Sequence, residues 1–294
     1  MRRDTTTRLM PLNPGPLPLP IPHVSINAAF DPTGAYFVAA NRVFTSNDVF
    51  FELRGYADVV ASLFHPKRPV LAQLGRSGTI ELVELDTKKQ TSFSPEGAAE
   101  FAFSPGGDLL AVSSWGSARV RLFNLEGQEQ PALVIPQELM TQQPPALTFS
   151  EGAIIAWPSH DTRVVLPLDG GPPSSLKIPK VKLGSPEARW RTLALPTGQF
   201  LHDFNAWRLI SPDGELINAG RGQFDGAVAI PGTGRVARLK LSKKTIEILD
   251  PASAEVVASA KVKTLVFNSS FACSSTLFSC TGRQTVELVA LPPG

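Results

Sequence analysis

The chain has 294 residues, of which 18% are charged and 43% hydrophobic, a balance that supports a large core and excludes disorder for most of the length. No apolar window approaches the roughly 18 residues of a membrane span. A formal net charge of +2 is too small to imply a polyanionic partner by itself, and 27 prolines with 23 glycines favour turn-rich β structure.

The opening Met1-Arg2-Arg3-Asp4 is basic, but a proline-studded segment rather than an apolar stretch follows it, so no export signal is expected. Thr5 to Met10 has the β-branched and apolar content of a strand. Prolines at 11, 14, 16, 18, 20 and 22 make the next stretch an extended strap. The alternative is a polyproline ligand for an SH3-like or WW-like partner.

From residue 24 onward the chain reads as a repeat. A turn marker recurs seven times: Phe30-Asp31-Pro32-Thr33-Gly34, Phe64-His65-Pro66, Phe103-Ser104-Pro105-Gly106-Gly107, Phe149-Ser150-Glu151-Gly152, Leu195-Pro196-Thr197-Gly198, Ile230-Pro231-Gly232-Thr233-Gly234 and Phe267-Asn268-Ser269. Each is placed where one apolar run ends and another starts, which is hairpin chemistry. Alternating runs follow, with Ile80, Val120, Val164, Trp207, Ile246 and Val286 as equivalent positions spaced 40, 44, 43, 39 and 40 residues apart. A period of about 40 residues marks a propeller blade of four antiparallel strands, and these runs are the third strands. The expectation is a single all-β, seven-bladed β-propeller over residues 24–294. Its first blade is short, with third and fourth strands cut from Val43 to Arg54.

Phe103-Ser104-Pro105-Gly106-Gly107-Asp108-Leu109-Leu110-Ala111-Val112-Ser113-Ser114 and Ser77-Gly78-Thr79-Ile80-Glu81-Leu82-Val83-Glu84-Leu85 resemble WD-repeat strands. No copy carries the Trp-Asp pair or the Gly-His of many such repeats, which removes that family's structural tetrad from the expectation. Pro32-Thr33-Gly34-Ala35-Tyr36-Phe37-Val38-Ala39-Ala40-Asn41 is similar to a phrase of lactonase-type propellers. After Leu291 only Pro292-Pro293-Gly294 remain, too little for a fourth strand. Residues 1–23 are therefore expected to supply the closing strand, Thr5 to Met10, and the strap.

No catalytic, metal or cofactor site emerges. His23, His65, His160 and His202 fall in different copies without ligand spacing, and no nucleophile elbow or nucleotide loop occurs. Cys273 and Cys280 are too few for a disulfide framework and read as thiols of a reduced, cytoplasmic compartment, although they flank a stretch that would bring them across a hairpin. Trp157, Trp190 and Trp207 read as packing, whereas Trp115 meets a Gly-Ser turn and is expected to be exposed.

Charge sorts by connection type. Arg42, Arg76, Arg119, Arg163, Lys243, Lys244 and Arg283 fall between second and third strands, with Asp161 the lone acid. The longest fourth-to-first connection adds Lys177, Lys180, Lys182, Arg189 and Arg191 against Glu187. The opposite turns hold Asp86, Glu126, Glu129, Asp169, Asp213, Glu215, Asp250 and Glu255, diluted by Lys88, Lys89 and His65-Pro66-Lys67-Arg68. The expected function is a non-enzymatic interaction module: a monomeric propeller within a larger hetero-complex, whose more basic face docks an acidic protein. The expected site comprises Arg42, Arg76, Trp115, Arg119, Arg163, Lys180, Lys182, Arg189, Lys243, Lys244 and Arg283. The alternatives are a lactonase-like hydrolase and, less favoured, nucleic-acid binding through the basic rim; no membrane role is expected.

Overall fold

A computed structural model of the chain describes residues 28–290 apart from 33–34, 40–41, 46–48, 54–58, 160, 179–190, 196, 203–205, 222–225, 231–232, 241–242, 262–269, 274–276 and 282–285. The expected closing strand Thr5 to Met10 and the strap lie outside the described residues.

The described strands form seven antiparallel sheets, six of four strands and one of three. The chain divides into two compact units, Met1–Phe64 with Phe224–Gly294, and His65–Gln223. In the first unit, β1 (Ala28–Phe30), β2 (Phe37–Ala39), β3 (Arg42–Phe44) and β4 (Val49–Glu52) form one sheet. A second sheet holds β21 (Gly226–Ala229), β22 (Val236–Lys240), β23 (Thr245–Asp250) and β24 (Glu255–Lys261), and a third holds β25 (Ser270–Cys273), β26 (Leu277–Thr281) and β27 (Val286–Ala290). Strand β5 (Val59–Phe64) also belongs here. The first strands are neighbours: β21 beside β25, β25 beside β1, and β1 beside β5.

In the second unit β6 (Val70–Gly75), β7 (Ile80–Glu84) and β8 (Gln90–Phe93) are neighbours in one sheet. Three whole sheets follow: β9 (Ala98–Phe103), β10 (Leu110–Ser114), β11 (Arg119–Phe123) and β12 (Glu129–Val134); β13 (Ala146–Ser150), β14 (Ala153–Ser159), β15 (Thr162–Pro167) and β16 (Ser174–Lys177); and β17 (Arg191–Leu195), β18 (Gly198–His202), β19 (Ala206–Ile210) and β20 (Leu216–Arg221). Here β13 lies beside both β9 and β17.

Burial explains the sequence pattern. Second strands such as β10 and β18 are buried at every residue, and third strands nearly so, because sheets pack on both faces of them. Fourth strands are the exposed edges: β16 is exposed throughout, and β8 and β12 hold no buried residue. The repeat positions Ile80, Val120, Val164, Trp207 and Ile246 are all 2% exposed or less and all lie in third strands.

Two readings need correction. Phe267-Asn268-Ser269 precedes β25 rather than separating β25 from β26, and like 274–276 it lies outside the described residues. The register of that hairpin pairs Cys273 with Phe278 and Phe271 with Cys280, so the cysteines are not directly opposite.

Candidate functional site

Each sheet of the second unit has two ends, and backbone hydrogen bonds show which connections share one. At one end the loops between second and third strands meet the connections from a fourth strand to the next first strand. The Trp115 N–H donates to the Gly97 carbonyl at 3.0 Å, the Ile135 N–H to Ala118 at 2.8 Å and the Ile178 N–H to Asp161 at 2.8 Å. Thr79 and Ser94 join by their hydroxyls at 3.1 Å. At the other end the Leu85 N–H donates to Pro69 and the Leu168 N–H to Gly152, both at 2.9 Å or less, stitching third-to-fourth turns to first-to-second turns.

The first of these ends gathers part of the expected site. Arg76 is exposed in the β6–β7 loop, Trp115 is 51% exposed in the β10–β11 turn, and Arg119 is exposed at the start of β11. Lys243 and Lys244 are exposed between β22 and β23 of the first unit, and Arg42 opens β3, paired in register with Ala39 and Glu52. Lys180, Lys182, Arg189 and Arg283 lie outside the described residues, as do Trp190, His23 and His160.

Arg163 does not belong to this surface. It is 6% exposed, and its Nη2 donates to the Pro212 carbonyl at 2.5 Å in the β19–β20 turn, over Gly214. Burial lowers its pKa, with Asp213 opposing. Its place in β15, rather than in a loop, turns it toward the neighbouring sheet. Trp157 and Trp207 are packing residues at 3% and 2% exposure. The Trp157 Nε1–H donates to Gln199 Oε1 at 3.1 Å, and Gln199 Nε2 donates to the Thr148 hydroxyl at 2.6 Å, joining two sheets through a buried polar chain.

His65 is likewise structural. It is 1% exposed, its Nδ1 accepts the N–H groups of Lys67 and Arg68 at 2.9 Å each, and its ring lies 5.3 Å from that of Phe103. Desolvation, then the charge of Arg68, lowers its pKa, so the ring is held neutral as an acceptor. It rests against Gly107, whose φ of +85° no other residue adopts cheaply.

Charge corrects the sequence reading further. Glu96 and Glu138 stand in the fourth-to-first connections of the Trp115 end, after exposed strands whose sequence marks no boundary. With them, the described charges in or beside those connections are Arg76, Arg119, Lys177 and Arg221 against Glu96, Glu138 and Asp161, which leaves one cation in surplus. Lys177 and Asp161 lie 3.8 Å apart. The other end carries the acidic excess, in Asp86, Asp108, Glu126, Glu151, Asp169, Asp213 and Glu215 against Lys67, Arg68, Lys88 and Lys89. Glu129 belongs to β12, where Arg121 holds it bidentately through Nε at 2.7 Å and Nη2 at 2.5 Å. Among the described residues no group of three His, Cys, Asp or Glu stands together as a metal set, and no helix is long and apolar enough to cross a membrane.

No family model matches the chain, and no curated protein matches it. Among solved structures it is similar to the β-propeller domain of Cps50 (Swd1) from Myceliophteria thermophila, with a TM-score of 0.73 at 10% identity over 92% of this chain and 97% of that one. The fold is that of a β-propeller. Its sheets are antiparallel, and all but one have four strands among the described residues; at that identity the likeness extends to architecture alone.

Proposed function

We propose that the chain is a non-enzymatic interaction module, a scaffold subunit that binds a protein partner at the Trp115 end of its blades. The carrying observation is a large aromatic side chain left 51% exposed on a surface whose three contributing connections are tied by backbone hydrogen bonds. Loops set by a rigid framework lose little freedom on binding, so an aromatic anchor there yields affinity at low entropic cost. The likeness to a propeller domain fits such a role without establishing it.

We further propose that the seven sheets are the blades of one ring, supported by the neighbouring first strands within each unit. Among the described residues the last sheet has three strands and ends at β27, which leaves room for Thr5 to Met10 as its outer strand. A cytoplasmic location and an acidic partner belong to the same proposal. The acidic partner rests on Arg76 and Arg119; Lys180, Lys182 and Arg189 lie outside the described residues.

The test is cross-linking mass spectrometry on the assembly purified from the native source. Lysines mark both ends of the second unit: Lys177 at the Trp115 end, with Lys180 and Lys182 following it in sequence outside the described residues, and Lys67, Lys88 and Lys89 at the other. Partner cross-links are expected at the first group. Cross-links confined to the second group contradict the assignment of the face, and a chain that purifies without a stoichiometric partner contradicts the module reading itself.

A further inference from the structure

We propose that Trp115 anchors a docking site for a linear protein segment in which an apolar side chain is flanked by carboxylates. The inference rests on the reading of the chain as a protein-binding module and names the chemistry of what it binds. The indole is presented rather than merely uncovered. The Trp115 N–H is held by the Gly97 carbonyl at 3.0 Å, the Ser117 N–H donates to Ser114, and the Arg119 N–H donates to the Ser117 hydroxyl at 3.2 Å, so the turn is fixed on both sides of the ring. Gly97 at φ +65° and Gly116 at φ +64° flank it in space or sequence, and a Cβ at Gly116 would meet nothing within 4 Å. Open space therefore borders the indole, with Ser77, Ser94 and Gly97 as exposed small residues on the adjoining connections.

The rim decides the partner's sign. Arg76 and Arg119 are the exposed cations on the two loops that meet the Ser94–Gly97 connection, and Glu96 is the exposed carboxylate on that connection. Arg121 adds no net charge, because Glu129 pairs with it bidentately. One guanidinium is in surplus, and guanidinium forks match carboxylates. A polyanion such as nucleic acid requires several neutralising cations in line, whereas the rim beside Trp115 offers two cations against one carboxylate, so a short acidic segment fits better. Trp and Arg together are the residue types that dominate interface hot spots.

The experiment measures fluorescence polarisation of the full chain with three labelled probes: a short peptide alternating Asp with Leu and Phe, its Lys counterpart, and an oligothymidylate. The acidic peptide is expected to bind tightest. Trp115→Ala is expected to weaken it by about tenfold or more, the range of an aromatic hot spot, with an unchanged thermal midpoint because the side chain is exposed. Arg76→Glu and Arg119→Glu weaken it, and Glu96→Gln tightens it. Absent binding of the acidic peptide, binding indifferent to Trp115→Ala, or preference for the Lys peptide or the oligothymidylate overturns the proposal. A native assembly that survives Trp115→Ala removes this site while leaving the module reading intact; a chain with no partner removes that reading.

Discussion

Replacing Gly107 by alanine puts a methyl group where the fold has placed His65. A Cβ built on Gly107 would fall inside contact distance of Nε2, Cε1 and Cδ2 of the His65 ring. The ring has no retreat: it is 1% exposed, two backbone N–H groups hold its Nδ1 at 2.9 Å, and Phe103 backs it at 5.3 Å. Two costs combine. A non-glycine residue at φ +85° pays about 1 kcal/mol or more of backbone strain, and forcing a methyl into packed surroundings costs about 1–3 kcal/mol. The sum, about 2–4 kcal/mol, lowers the thermal midpoint by roughly 4–16 °C at about 2–4 °C per kcal/mol for a chain of this class. The assay is a far-ultraviolet circular dichroism melt of Gly107→Ala, His65→Ala and the double variant. The double variant is expected to be more stable than the two single losses added, because the truncated histidine makes room for the methyl and only the backbone strain remains. An unchanged midpoint in Gly107→Ala, or strict additivity in the double variant, would refute the contact as described.

Three other outcomes follow from the same geometry. His65 has a lowered pKa when folded, so the folded state binds fewer protons than the unfolded one; stability is complete above the ordinary imidazole value of about 6.5 and falls as the pH drops below it. The pH dependence of the melt in that window should shrink in His65→Gln, and an identical dependence in the variant contradicts the assignment. In β22–β23, Glu247 Oε2 accepts from Arg238 at 2.7–2.9 Å and lies 2.9 Å from Lys240 Nζ, with the Arg238 and Glu247 side chains 8% and 11% exposed. Glu247→Leu leaves two cations without their carboxylate and should cost about 3–5 kcal/mol in urea denaturation, whereas a loss below about 1 kcal/mol, typical of a surface pair, would mean that the cluster is solvated. Deleting residues 1–12 should lower the thermal midpoint and the solubility of the chain, through lost ladder hydrogen bonds of about 0.5–1.5 kcal/mol each and a bared edge on β27; no change in either means that the ring closes otherwise.

The blades were legible where burial constrains the sequence. Ile80, Val120, Val164 and Ile246 sit on strands packed between neighbouring sheets, so alternation and apolarity were both enforced there, and the spacing of about 40 residues emerged. Fourth strands such as Gln90–Phe93 and Ser174–Lys177 carried no such signature, because an edge strand open to water accepts almost any polar residue. That loss propagated to the site. Without an end to β8 or β12, Glu96 and Glu138 were not assigned to the Trp115 end, so its basic excess reads larger in the sequence than among the described residues. Arg163 misled for a related reason: its sequence position beside a turn resembled those of Arg76 and Arg119, but one residue of β15 precedes it and the register turns its side chain onto Pro212. Trp115 was readable because Gly116-Ser117 follows it and no strand pattern claims it.

The central claim is that this propeller works by holding a protein partner at the Trp115 end. Its most direct measurement is the absolute mass, by size exclusion with light scattering, of the tagged chain isolated from its native source as wild type and as Trp115→Ala. The account predicts a wild-type assembly well above the 31.5 kDa of the chain, with a stoichiometric partner that Trp115→Ala releases or weakens while the chain itself stays folded. A wild-type chain that elutes alone at 31.5 kDa contradicts it.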